Sequence, residues 1–164
     1  MEQTRQNYLA WLREAHAMER QSFTMLQDMT SKMEDYPRLR ARLREHLRET
    51  EGQLSALAKL LGRKGAETSL VKDTMGQVTA FTRSMSDIFT GEEVVQGTLA
   101  SYTFENLEIA SYRILITAAE QLGDAEAVEV FQRSLAQEEA MADWLASHSG
   151  EITRSYLSRA ELLL

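Results

Sequence analysis

Glu19, His46, Glu49, Glu105, Glu108 and Glu138 are the residues of this sequence whose types and spacing could do chemistry. Each stands near the middle of a long stretch with helical apolar periodicity, where the stripe of core residues should continue. His46 and Glu49 are three apart, as are Glu105 and Glu108, and that spacing sets both members of a pair on one helix face. A bare carboxylate buried in a bundle costs several kcal/mol unless it is paired, protonated or bound to a cation. Arg13, Arg20, Arg48, Arg113 and Arg133 fall off the apolar stripes, so a buried salt-bridge network lacks its cations. A dication, or two, would supply the missing charge. Oxygen donors with one imidazole suit Fe(II) or Mn(II), with Zn(II) as an alternative, and bridging glutamates would hold two ions about 3.5–4 Å apart. Any single glutamate could be an ordinary surface residue if the helical phase slips. Five such residues at similar height on four helices are harder to explain that way.

Four long helices must position these groups. The first runs from about Thr4 to Glu34, because Tyr8, Leu12, Ala15, Ser22, Leu26, Met29 and Met33 keep the spacing of one helix face. Asp35, Tyr36 and Pro37 break it and open the second helix, since proline fits a first turn. Leu39, Leu43, Leu47, Leu54, Leu57 and Leu60 point inward from that helix as far as about Leu61, and Gly62 and Gly65 stop it. Residues 66–90 read as a long crossover in which Val71, Met75, Val78, Phe81, Met85 and Ile88 outline a further helix weakened by Gly76. Thr90-Gly91-Glu92-Glu93 has the form of a capping box, and opens a third helix that ends near Leu122. Gly123-Asp124 supplies a stop and a new cap. The fourth helix then runs towards His148, with Val128, Phe131, Leu135 and Leu145 inward and Gly150 ending it before a short tail. Two helical hairpins joined by one long crossover predict an all-α, ferritin-like four-helix bundle in a single domain, 1–164.

Composition narrows the partners. The 25 acidic residues outweigh the 18 basic ones for a net charge of -7, which opposes attraction to nucleic acid and to anionic lipid. Arg38, Arg40, Arg42, Arg44 and Arg48 are interrupted by Glu45, Glu49 and Glu51 and lack stacking aromatics, so they read as a solvated helix face. Without cysteine there can be no disulfide or thiolate ligand. The expected protein is soluble and cytoplasmic, with neither a secretion signal nor a membrane span. His148 suits the C-terminal end of a helix dipole. Tyr102 and Tyr112 flank the third helix's carboxylates, where a phenol could hold a metal-bound oxygen or carry a radical. Packing in the core is the simpler account of both.

The segments WLREAHAMERQ, LREHLRETEGQL, FENLEIASY and QEEAMADWL, one from each helix, together resemble the YciE/YciF family of bacterial ferritin-like proteins over nearly the whole chain. The resemblance implies a dinuclear centre of iron or a related metal, a homodimer, a link to bacterial stress responses, and metal ions and small oxidants as ligands. Carried over by position, Glu19 is the ligand of the first helix, His46 and Glu49 of the second, Glu105 and Glu108 of the third, and Glu138 of the fourth. The usual Glu-x-x-His order is reversed at His46-x-x-Glu49. On the fourth helix the second histidine is replaced by Met141, which makes Glu139 and Asp143 further ligand candidates. His16, one turn before Glu19, would orient it or simply pack. Two functions fit: a di-metal protein that oxidises Fe(II) or consumes oxygen or peroxide, and a non-catalytic, stress-induced dimeric scaffold with a degenerate site.

Overall fold

The structure, a computed structural model, describes residues 2–63, 65 and 94–162. Among these, four helices follow one another: α1 Glu2–Lys32, α2 Pro37–Arg63, α3 Val94–Gln121 and α4 Ala125–Leu162. The expected crossover helix and the Thr90–Glu93 capping box lie outside the described residues. No helix among the described residues is long and apolar enough to cross a membrane.

The turns follow from local chemistry. After α1 the Tyr36 N–H donates to the Met33 carbonyl at 3.2 Å, and Pro37 then occupies the first turn of α2. Gly123 ends α3 with φ of 66°, its N–H donating to Glu120 while the Asp124 N–H donates to Ala119. This paired closure needs a left-handed residue, which glycine tolerates at no steric cost. The Asp124 carboxylate then accepts from the Ala127 N–H at 3.2 Å, capping α4. Both links are too short to do anything but reverse the chain.

α1 packs on α2 and α3 on α4, and α1–α3 and α2–α4 contacts close the bundle. Its core is not continuous. At one end Tyr8, Leu12, Leu57, Leu60, Leu115 and Phe131 form an apolar cluster. At the other end Leu26, Met29, Leu39, Leu43, Met141 and Leu145 form a second. Between them lies a belt of buried polar side chains contributed by all four helices, Glu19, Ser22, His46, Thr50, Gln53, Ser101, Glu105, Glu108, Ser134 and Glu138.

The expected stop of the last helix at Gly150 is not observed, since α4 continues to Leu162. Ile152 is buried in the second cluster with Tyr156 against it, and Arg159 pairs with Asp35 at 3.1 Å and lies over the Tyr36 ring. A glycine inside a helix costs about 1 kcal/mol. Burying one isoleucine outweighs that.

Candidate metal centre

The belt is built by helical phase. His46, Thr50 and Gln53 repeat at four and three residues and so share the inward stripe of α2, whereas Glu49 sits about 60° round from His46 on its flank. Glu105, Glu108 and Tyr112 share the broad buried face of α3, Glu19 is inward on α1 and Glu138 inward on α4. Glu19, His46, Glu105, Glu108 and Glu138 are all fully buried.

Donor atoms of His46, Glu105, Glu108 and Glu138 lie within 4.8 Å of one another. Ligands about 2.0–2.2 Å from a common ion are at most about 4.4 Å apart, so only a small closure would bring all four onto one metal. The His46 Nε2 atom is 3.0 Å from Glu105 Oε2 and 3.2 Å from Glu138 Oε2, yet it aligns as a hydrogen bond with neither. It faces the space the two carboxylates share.

Each of the five buried groups has one polar atom tied back by a neighbour and one left over. Tyr112 donates to Glu19 Oε1 and Gln53 to Glu138 Oε1. Ser22 donates to Glu108 Oε2 and Ser101 to Glu105 Oε1, each at 3.5 Å. Glu49 Oε2 holds His46 Nδ1 at 2.7 Å. The remaining atoms, Glu19 Oε2, His46 Nε2, Glu105 Oε2, Glu108 Oε1 and Glu138 Oε2, are buried without a hydrogen-bond partner. Buried polar groups are nearly always satisfied, because an orphan carries the full cost of its lost hydration. Five orphans on four helices, converging on one belt, fit a cation bound between them.

The electrostatics agree. Burial and then the Glu138 charge push Glu19 up to about 8, against the opposing hydrogen bond from Tyr112. Burial raises Glu138 to about 7, with His46 opposing and Glu105 adding to the shift. Glu108 is held well above the ordinary range by burial and by the charges of Glu19, Glu138 and Glu105. Burial disfavours the charged form of His46, but Glu105, Glu138 and Glu49 outweigh it and raise the imidazole to about 12. One imidazolium therefore faces four buried carboxyl groups, and protons supply the neutralisation that a metal ion could replace.

Two expected candidates stand outside this group. Glu139 is rotated about 100° from Glu138 and pairs with Arg113 on α3 at 2.7 Å. Asp143 is exposed. Accordingly, Glu139→Ala and Asp143→Ala should leave metal stoichiometry and metal-induced stabilisation unchanged in calorimetry; loss of either response would bring those carboxylates back into the centre. Glu49, expected as a ligand, sits on the far side of the His46 ring. It is drawn below its ordinary range, against partial burial, by His46 and by Arg42, whose Nη1 is 3.3 Å away.

Sequence reasoning under-read Arg42, Gln53 and Tyr112. Arg42 lies two turns before Glu49 and Gln53 two turns after His46, so the seven-residue spacing carried a signal for both. His16 is half-buried beside the stripe, and burial and the Arg20 charge bias its imidazole towards the neutral form. Met141, one turn beyond Glu138, is fully buried and closes the belt with the second apolar cluster.

Residues 3–158 match the family described as a domain of unknown function, DUF892. Among solved structures, a protein of Xanthomonas campestris pv. campestris is 32% identical, with a TM-score of 0.80 over 96% of this chain and 99% of that one. The Escherichia coli stress protein YciF has the same fold at 20% identity, with a TM-score of 0.78 over 94% and 99% of the two chains. YcfI of Rhodopseudomonas palustris, described as a candidate structural protein, aligns at 24% identity with a TM-score of 0.69 over 87% and 92%. With its helical bundle, its buried His/Glu cluster and a match over nearly its whole length, this chain belongs to the DUF892 family, of the YciE/YciF type.

Proposed function

We propose that this protein is a ferritin-like metal-carboxylate protein of the bacterial cytoplasm that binds iron and consumes peroxide or oxygen under stress. The observation that carries this reading is the set of five orphaned, inward donor atoms. His46, Glu105, Glu108 and Glu138 would hold one ion, and Glu19 beside them would contribute to a second. Iron suits one imidazole among carboxylates, with manganese or zinc as alternatives. Bound iron would supply electrons to the oxidant. The protein's own part is to exclude water between two apolar clusters, to orient each donor through a neighbouring side chain, and to exchange protons as carboxyls ionise. Glu49 and Arg42 orient the His46 ring. The stress role of the Escherichia coli relative supports the biological setting.

Anaerobic Fe(II) titration is the direct test. We expect one to two ions per chain, and an optical change when peroxide is added. Binding of less than about one ion per chain would sink the reading, as the donor set has room for at least one.

The non-catalytic scaffold is favoured by Met141 in the place of the second histidine and by the exposed Leu99, Tyr102 and Ile114 on α3. The exposed side chains also support a homodimer, which a metal protein could form equally well. Sedimentation equilibrium that returns an 18.6 kDa species at every concentration would overturn the dimer.

A further inference from the structure

Beyond Gly150 the last helix grips the turn between α1 and α2. Arg159 reaches the Asp35 carboxylate at 3.1 Å and the Asp35 backbone carbonyl at 2.9 Å, and Ile152 is buried in the second apolar cluster with Tyr156 packed against it. Next to the glycine, Arg38 Nη1 at the start of α2 donates to both oxygens of Glu151, at 2.8 and 2.9 Å. Arg38 Nη2 is 3.3 Å from His148 Nε2. Because α4 continues to Leu162, His148 stands within the helix and not at the end of a helix dipole.

The contacts of His148 fix where its proton sits. Nδ1 lies 2.8 Å from the Trp144 carbonyl, which can only accept, so Nδ1 carries the hydrogen. Nε2 faces a guanidinium, which can only donate, so Nε2 presents its lone pair. The ring is stacked on the Trp144 side chain, with centroids 4.1 Å and planes 12° apart, and swinging away would lose that contact. This arrangement holds a neutral imidazole.

We propose that His148 is a proton-operated latch: neutral, it helps Arg38 tie α4 to α2, and protonated, it takes Glu151 from Arg38 and releases the end of α4 from the α1–α2 turn. A proton on Nε2 sets two cations face to face. It also offers a new partner to Glu151, which is three residues on and so on the same helix face. The charged groups that line the cavity beside the ring are Arg38 from α2, Glu151 from α4 and Asp35 from the turn; among the described residues, α1 and α3 bring none. Asp35 is already engaged by Arg159. Protonation therefore exchanges a bridge between two helices for a pair within one. The cavity, about 200 Å³, leaves the Arg38 side chain room to swing. Release loosens Ile152 and Tyr156, which help to close the apolar cluster at that end of the belt.

Hydrogen exchange of residues 150–162 in the metal-free full chain tests the latch, compared at about pH 8 and about pH 5, the interval in which imidazoles change charge. After correction for the intrinsic pH dependence of exchange, local opening should be about two- to fivefold greater at the lower pH, the range open to an exposed ion pair such as Arg38–Glu151. In His148→Gln, whose amide oxygen still accepts from Arg38 and takes up no proton, the difference should vanish. In Arg38→Gln the end of α4 should be equally loose at both pH values, and this variant decides the matter if His148→Gln does not fold. The belt carboxyls Glu19 and Glu138, raised to about 8 and about 7, act with the opposite sign, stabilising the whole fold at lower pH, so they cannot produce a loosening confined to residues 150–162. Trp144 emission, isolated in Trp11→Phe, should fall across the same interval as the stacked ring gains its charge, and stay flat once His148→Gln is added. Exchange that does not change with pH overturns the latch, with or without quenching, and so does a pH effect that persists in His148→Gln. None of these outcomes bears on whether the belt binds iron.

Discussion

Replacing Glu108 by glutamine should make the metal-free protein more stable at pH 8, by about 1–3 kcal/mol, the usual penalty of a badly satisfied buried polar group. Glu108 is fully buried, with one oxygen at 3.5 Å from Ser22 and the other without a partner. Its charge is opposed by burial and by three neighbouring carboxylates. Glutamine keeps the volume and the hydrogen-bond acceptor while removing the group that must ionise. For a chain of this length, about 1 kcal/mol moves the melting temperature by about 2–4 °C, so calorimetry resolves the gain. The same substitution should abolish most of the stabilisation expected from Fe(II) or Mn(II), which for wild-type protein should reach about 2.7 kcal/mol at a hundredfold excess over Kd. A residue that harms the metal-free fold and is needed for the loaded one is the pattern of a functional site. A Glu108→Gln protein that is less stable without metal and still responds fully to it would remove Glu108 from the centre.

Metal-free protein should lose stability as pH rises from about 5 to about 8, by a few kcal/mol, since each unit of pKa shift corresponds to about 1.4 kcal/mol. Glu138 and Glu19 titrate near 7 and 8 in the fold, against an ordinary value of 4.5. Across that interval the unfolded chain has released protons that the folded one still holds, so stability falls as pH climbs through the folded values. His46, raised from 6.5 to about 12, acts in the same direction above its ordinary value. Metal should reverse the trend, because the carboxyls and the His46 Nε2 would have to be deprotonated to bind, so that affinity would rise with pH. Melting curves at several pH values, with and without Mn(II), measure both slopes. A metal-free melting temperature that climbs steadily over the interval would mean that these carboxyls are not held protonated.

Much of the site was legible because helical phase is a local property. The apolar stripes of the first, second and fourth helices predicted Tyr8, Leu12, Leu26, Leu43, Leu57, Phe131 and Leu145 as core, and all are buried. The polar breaks in those stripes named Glu19, His46, Glu105, Glu108 and Glu138, which are buried at one height between two apolar clusters. Phase alone was less decisive at Glu49 and Glu139. Both lie on the flank of an inward stripe, where a rotation of about 60–100° separates facing the belt from facing a neighbouring arginine.

Residue type and spacing by themselves therefore determined which helices exist, which faces are apolar and which ionisable groups interrupt them, because each follows from the geometry of a single helix. Only the tertiary structure decided what those groups meet: Glu49 turned to the back of the His46 ring with Arg42, Tyr112 placed on Glu19, Gln53 on Glu138, and α4 carried past Gly150 by the burial of Ile152. Those pairings join residues on different helices or depend on which flank a neighbouring helix covers. They are set by how the helices pack, a property that no single stretch of the chain contains.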